Sequence, residues 1–260
     1  MAEAPPPPPP VPEPALDGEA MAARKTIWDQ VFKETPGRIS KQLSVDERTE
    51  TQKLDDPNLI YGEVDFDVVV QILNIIRSDY GPLFPGGTFI DVGSGVGKAV
   101  VAASLAHPFT KCVGFEVLEK LSTKAGEILT KFTGEVRDAM DAAIPRPEVL
   151  LNKGDAVGEG GMASLVSEEQ TIIFAVSTCY DDKFMKAIVE QSAGFPPDSF
   201  LITFTKQCPD LKTWKTLMAV PIVCPWSDGE GVTVFIHKKN PAAEASVPYP
   251  DEVVQAPPAP

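Results

Sequence analysis

The chain has 260 residues, a net charge of −14, 26 prolines, four cysteines and two histidines. That length holds one sizeable domain with tails, and the acidity excludes broad, sequence-independent binding to a phosphate backbone, so only weak direct DNA binding is expected. Cys112, Cys179, Cys208 and Cys224 form no C-x-x-C pair, which together with the scarcity of histidine argues against any metal site.

Residues 1–22 read as a disordered acidic tail. Prolines run from Pro5 to Pro10 and recur at Pro12 and Pro14, with four acids and no base. Such a segment cannot bury enough apolar surface to offset its ordering entropy, and it favours the polyproline conformation. It suits an SH3-like partner or serves simply as a solubilising tail. The N-terminus lacks the basic and apolar regions of a secretory signal, and no apolar run approaches the roughly 20 residues that cross a bilayer. An intracellular protein with reduced thiols and no membrane partner is therefore expected.

Residues 23–57 read as a helical N-terminal segment. Ile27, Trp28, Val31 and Phe32 recur at helical spacing, and Pro36-Gly37 ends that helix. Val64, Val68, Ile72, Ile75 and Ile76 mark a second helix over residues 63–79, broken at Tyr80-Gly81-Pro82. From Thr88 onward strands and helices alternate. Strands are expected at Thr88–Val92, Lys111–Val117, Val149–Asn152, Thr171–Val176 and Phe200–Phe204. Helices are expected at Lys98–Ala106, Leu118–Phe132 and Asp182–Ser192. Val220–Val223 and Val232–His237 flank a turn around Asp228-Gly229-Glu230-Gly231 and read as late strands, antiparallel to one another, although Pro221 weakens the first. Nearly continuous apolar strands alternating with helices imply an α/β fold, Rossmann-like, whose parallel sheet is covered on both faces. One domain is expected over residues 58–239, with a second disordered tail over 240–260. The two tails hold half of the net negative charge, so the body is acidic too. An acidic surface suits a basic protein partner or serves solubility.

The most informative stretch is Phe89-Ile90-Asp91-Val92-Gly93-Ser94-Gly95-Val96-Gly97-Lys98. An apolar strand ends in an acid and passes through alternating glycines into a helix. Glycine lets backbone approach a ligand closely, and the helix start offers free N–H groups. The dinucleotide fingerprint would need a glycine where Lys98 stands, and no Walker pattern is present, which disfavours a nicotinamide dehydrogenase. Glu116 ends the second strand and Asp155 follows the third. Ligands of such sheets sit beyond the carboxyl ends of the strands, so the three acids converge on one crevice. Glu116 can there accept hydrogen bonds from ribose hydroxyls, and Asp155 lies toward an adenine edge. The pattern suits S-adenosylmethionine (SAM).

In order along the chain, Ile60-Tyr61-Gly62-Glu63-Val64-Asp65-Phe66-Asp67, the glycine loop, Val113-Gly114-Phe115-Glu116, Lys153-Gly154-Asp155 and Trp226-Ser227 resemble the disruptor-of-telomeric-silencing histone-lysine methyltransferases. The resemblance covers about residues 58–238. It implies a seven-stranded SAM-dependent sheet rather than a SET domain, and a nuclear enzyme acting on a lysine of the globular face of histone H3 in nucleosomes. It assigns the cofactor to Tyr61, Gly62, Glu63 and Val64, to Phe89, Asp91, Gly93, Ser94, Gly95, Val96, Gly97 and Lys98, and to Glu116, Asp155 and Ala156. Val64 and Ala156 depart from the family's usual threonine and phenylalanine, which removes a hydroxyl and an adenine-stacking face. After the fourth strand, Val176-Ser177 stands where the family carries asparagine, and Val234-Phe235 replaces an aromatic pair.

Ser177, Tyr180 and Phe235 are the candidate catalytic residues, with Phe204 a further wall of the acceptor channel. Methyl transfer to an amine needs alignment of nitrogen, methyl and sulfur, together with a neutral amine that an apolar channel supplies by desolvation. Two competing readings use the same residues: a SAM methyltransferase for a non-histone protein or small molecule, and a SAM-binding module without turnover.

Overall fold

The computed structural model describes residues 18–81, 83–227 and 229–241. The proline run and most of the C-terminal tail lie outside them. Seven strands form one sheet in the order β3-β2-β1-β4-β5-β7-β6. These are β1 (Thr88–Val92), β2 (Lys111–Glu116), β3 (Glu148–Lys153), β4 (Thr171–Ala175), β5 (Phe200–Phe204), β6 (Trp214–Val223) and β7 (Gly231–Lys239). Strands β1 to β5 pair in parallel, whereas β7 runs antiparallel between β5 and β6. The expected α/β class and seven-stranded sheet are thus present. Strands β1, β4 and β5 are buried at every position, as their unbroken apolar runs require.

Helices α1 (Gly18–Phe32), α2 (Gly37–Glu50), α3 (Phe66–Asp79), α4 (Lys98–Ala106) and α5 (Glu119–Lys131) precede the one-turn α6 (Arg137–Ala139) and then α7 (Asp182–Gln191). Apolar residues of α1, α3, α4 and α5 pack into one core with Phe89, Phe174 and Phe204. The other face of the sheet buries Ile90, Val113 and Leu201 against Met185, Ile188 and Val189 of α7. The sheet is therefore sandwiched, and its strand tips are left free to carry a site.

Three expectations shift. Helix α1 begins at Gly18, inside the segment read as tail. A second helix, α2, follows Pro36 because proline is well placed just ahead of a helix start. Strand β6 begins at Trp214, earlier than Val220, because β7 gives it a partner along its whole length. Pro221 is accommodated because β6 is an edge strand with no neighbour on its far side.

Helix α5 starts after Leu118, which offers no side-chain cap. The Glu47 carboxylate of α2 takes that role, accepting from the N–H groups of Glu119 and Lys120, both at 2.7 Å. A carboxylate at a helix N-terminus satisfies orphan donors and meets the positive dipole end. Glu47→Ala is expected to cost about 1 kcal/mol, lowering the thermal midpoint by about 2–4 °C. A thermal melt followed by circular dichroism checks it.

Candidate active site

The tips of β1, β2 and β4 open into a cleft of about 290 Å³. Tyr61, Gly62, Gly93 and Val176 line both this cleft and a smaller, adjoining cavity beside Asp91 and Lys98. The larger cavity holds Glu116, Asp155 and Ala156; the smaller holds Glu63, Asp91, Ser94, Gly95 and Lys98. The smaller space has about 10 Å³, room for one water molecule.

The glycine loop forms the floor. Gly93 and Gly95 have φ of 73° and 55°. A Cβ on Gly93 would overlap the Tyr180 hydroxyl, and one on Gly95 would lie 2.6 Å from Tyr61 Cε2. The bare backbone thus lets Tyr180 and Tyr61 close onto the loop, where any side chain would push them away.

Glu116 is 7% exposed. Its Oε2 accepts from Gly95 N (2.9 Å) and its Oε1 from Leu118 N (2.8 Å). One carboxylate therefore ties the loop after β1 to the corner after β2. Burial raises its pKa, opposed by the N–H donors of Leu118 and Gly95. Each oxygen keeps a lone pair for a hydroxyl in the cleft.

Asp91 is 3% exposed, and its Oδ1 has no hydrogen-bond partner. Burial, then the nearby Glu116 charge, push its carboxyl up to about 8. A buried, orphaned carboxylate oxygen is a receptor for a cation or an N–H donor.

Glu63 is held from two sides. The Tyr61 hydroxyl donates to Oε2, and the Lys98 ammonium pairs with Oε1. Lys98 Nζ also sits over the rings of Trp28 (5.8 Å) and Phe32 (5.7 Å), while Trp28 Nε1 donates to the Lys98 carbonyl at 3.1 Å. Helix α1 is thereby fastened to the start of α4. Phe89 and Val96 are fully buried core residues, Gly97 is the left-handed cap of α4, and Val64 lies in the core.

On the far side, the Tyr180 hydroxyl donates to the Val92 carbonyl at 2.8 Å, and its ring meets Phe184 edge-on at 4.8 Å. Burial raises the Tyr180 pKa, so the hydroxyl stays protonated. Ser177 is fully buried and bonds Phe204 on both backbone groups, N and O, at 2.9 Å each. It fixes the loop after β4 to β5 rather than lining the cleft. Phe204 packs on Phe174 and Trp226 in the core. Phe235, two strands away from β4, stacks beside His237. Neither Phe204 nor Phe235 lines the cleft, because strand alternation points one into the core and places the other on β7.

Asp155 is exposed and turns its Oδ1 to the Val157 N–H at 3.0 Å. Ala156 is buried and offers no ring, but Phe115 and Phe184 line the same cleft. Phe115 stands beside Glu116 in the strand-tip motif, a signal that sequence reasoning passed over. Asn58, also a lining residue, carried no such signal.

The arrangement can grip a cationic amino-acid end at Asp91 and a nucleoside end at Glu116, against bare backbone. Those features fit SAM: an orphaned acid for its ammonium and a partly free carboxylate for its ribose.

Comparison with known proteins gives the family and the fold. A family model described as histone methylation protein DOT1 matches residues 50–215. Among solved structures, the rRNA methyltransferase AviRa from Streptomyces viridochromogenes has a TM-score of 0.52 at 11% identity, over 72% of this chain and 88% of that one. TrmK of M. capricolum, solved with S-adenosylhomocysteine, has a TM-score of 0.43 at 9% identity, over 66% of this chain and 68% of that one. No curated protein sequence matches. With the match spanning most of the chain and the sheet ordered as above, this protein belongs to the DOT1 histone methylation family of SAM-dependent methyltransferases.

Proposed function

We propose that the chain is a histone-lysine N-methyltransferase acting on a core lysine of histone H3 in nucleosomes, and that it works in the nucleus. The observation that carries this reading is the DOT1 match. It spans the Tyr61-Gly62-Glu63 segment, the glycine loop and the residues after β4 together. SAM, when bound, supplies a methyl group on a positively charged sulfur.

The chain's own residues supply placement. Asp91 and Glu63 face the amino-acid end, with Lys98 held there by Glu63. Glu116 takes the ribose diol and Phe115 the apolar face of the base. Val176, Tyr180 and Phe184 wall the approach of the acceptor amine. Their apolar surfaces favour the neutral amine by desolvation. Tyr180 holds its proton on Val92 and is not a base. The amine proton leaves to solvent before transfer, and no side chain needs to abstract it. At the rim, Ile60 and Val117 expose apolar surface beside the exposed carboxylate of Asp155. A lysine flanked by basic residues suits that rim.

A non-histone protein acceptor is the second reading. It is favoured by Val176 and Ser177, which stand where the family carries asparagine. Transfer of labelled methyl from SAM to nucleosomes, free histone H3 and a cell lysate tests both. Label on a globular-face lysine of nucleosomal H3 is the expected result. Label confined to another protein selects the second reading, and a chain that binds SAM but labels nothing contradicts both.

A further inference from the structure

Residues 51–65, between α2 and α3, form a strap across the strand tips. They contribute Lys53, Asp56, Asn58, Ile60, Tyr61 and Gly62 to the cleft lining. The strap is held on two sides. At its start, Glu47 on α2 grips the N-terminus of α5, so this end moves with the corner that carries Glu116. On the opposite side, Asn58 and Asp181 make a reciprocal pair. Asn58 Nδ2 donates to Asp181 Oδ2 at 3.0 Å, and Asp181 N donates to Asn58 Oδ1 at 2.8 Å. Among the described residues, no other hydrogen bond joins the strap to the segment 176–185.

Asp181 does two jobs at once. Its Oδ1 caps α7 by accepting from Phe184 N at 2.7 Å, while its Oδ2 holds Asn58. The donors from Phe184 and Asn58 keep its carboxyl below the usual range. It follows directly on Tyr180, the residue bonded to Val92 at the β1 tip. One amide side chain therefore joins the strap over the nucleoside end to the aromatic wall on the acceptor side.

We propose that Asn58 is a positioning residue for methyl transfer: its pair with Asp181 latches the strap over the bound cofactor, fixes the Tyr180 wall, and sets how fast cofactor and demethylated product leave. The proposal rests on the cleft holding SAM. On this proposal a nucleoside seated beneath the strap leaves when both bonds open. One of them is charge-assisted and so among the stronger kind. In enzymes with covered sites, opening and product release commonly limit turnover.

The test measures release of S-adenosylhomocysteine from the full chain by stopped flow, with KM and kcat for SAM alongside. Asn58→Asp removes the amide donor and sets two carboxylates against each other. Release is expected to quicken about tenfold or more, with KM rising in step. Adding Asp181→Asn restores a donor facing a carboxylate and keeps an acceptor for Phe184 N. This double variant is expected to return release to within about threefold of the parent, as an interacting pair requires. A merely structural role would not produce that rescue. Should Asn58→Asp fail to fold, Asn58→Ala keeps the α7 cap and reads the same release rate. Unchanged release in a folded Asn58 variant overturns the latch, as does a folded double variant no better than the single. A parent chain that binds no product removes the cofactor reading itself, a distinguishable outcome.

Discussion

Asp91→Asn is expected to raise the melting temperature at pH 7 while removing most of the affinity for SAM. The two effects share one cause. Burial and the Glu116 charge push the Asp91 carboxyl from its ordinary 3.8 up to about 8. The folded chain thus prefers the neutral acid, whereas the unfolded chain ionises it. The stability contribution is full below pH 3.8 and is lost as pH rises through about 8. By pH 7 the loss is on the order of 4 kcal/mol. An amide carries no charge to desolvate but keeps part of the burial cost, so a gain of roughly 5–10 °C is expected. The same substitution removes the orphaned anionic oxygen, and with it the counter-charge to a cationic ligand. In the parent chain, cofactor binding favours ionised Asp91, so affinity should rise about fivefold from pH 7 to pH 8 and binding should release a proton. Asn at this position flattens that slope. Differential scanning calorimetry and titration in buffers of different ionisation heat measure both effects. A melting point that falls, together with an unaltered pH slope, contradicts the assignment of Asp91.

The second large effect belongs to Glu116→Ala. Its carboxylate holds Gly95 N and Leu118 N at once. Truncation leaves both donors unpaired beside the cleft and removes the acceptor proposed for the ribose. Charge-assisted hydrogen bonds contribute about 1.5–3 kcal/mol each, so SAM affinity is expected to fall about 10³-fold by equilibrium binding. Glu116→Gln keeps one acceptor oxygen and should fall less. Lost stability with unaltered SAM affinity would remove the diol role and leave only loop support. Thermal melting separates the effects further, because truncation also removes a buried charge and so lowers stability less than it lowers binding.

Much of the fold was legible because the physics is local. Thr88–Val92 is a run of strand formers with no polar face, and it is buried throughout. Val68, Ile72 and Ile76 repeat at helical spacing and all three are in the core. The glycine loop announced itself because positive φ beside a close neighbour demands glycine. The acids Asp91 and Glu116 were placed correctly at strand tips by counting strands. What escaped was long-range. Nothing near Leu118 announces that Glu47 caps its helix, since the two lie far apart in sequence. Asn58 and Asp181 are 123 positions apart, and each reads alone as an ordinary turn residue. The aromatic wall was the least legible part. Tyr180, on the loop after β4, reaches the cleft, whereas Phe204, the last residue of β5, does not, because the facing of a strand residue depends on a register that only the assembled sheet sets. Lys98 read as a departure from a dinucleotide motif and, through the family resemblance, as a cofactor residue; the structure gives it Glu63 and two aromatic rings of α1 as partners.

The central claim is that a sulfonium nucleoside amino acid lies on the bare backbone between β1 and α4, with Asp91 at one end and Glu116 at the other. Isothermal titration of the purified full chain with S-adenosylhomocysteine and SAM addresses it most directly. One-to-one binding is predicted, lost in Glu116→Ala and insensitive to NAD as competitor. A properly folded chain that gives no saturable heat with either compound would contradict it.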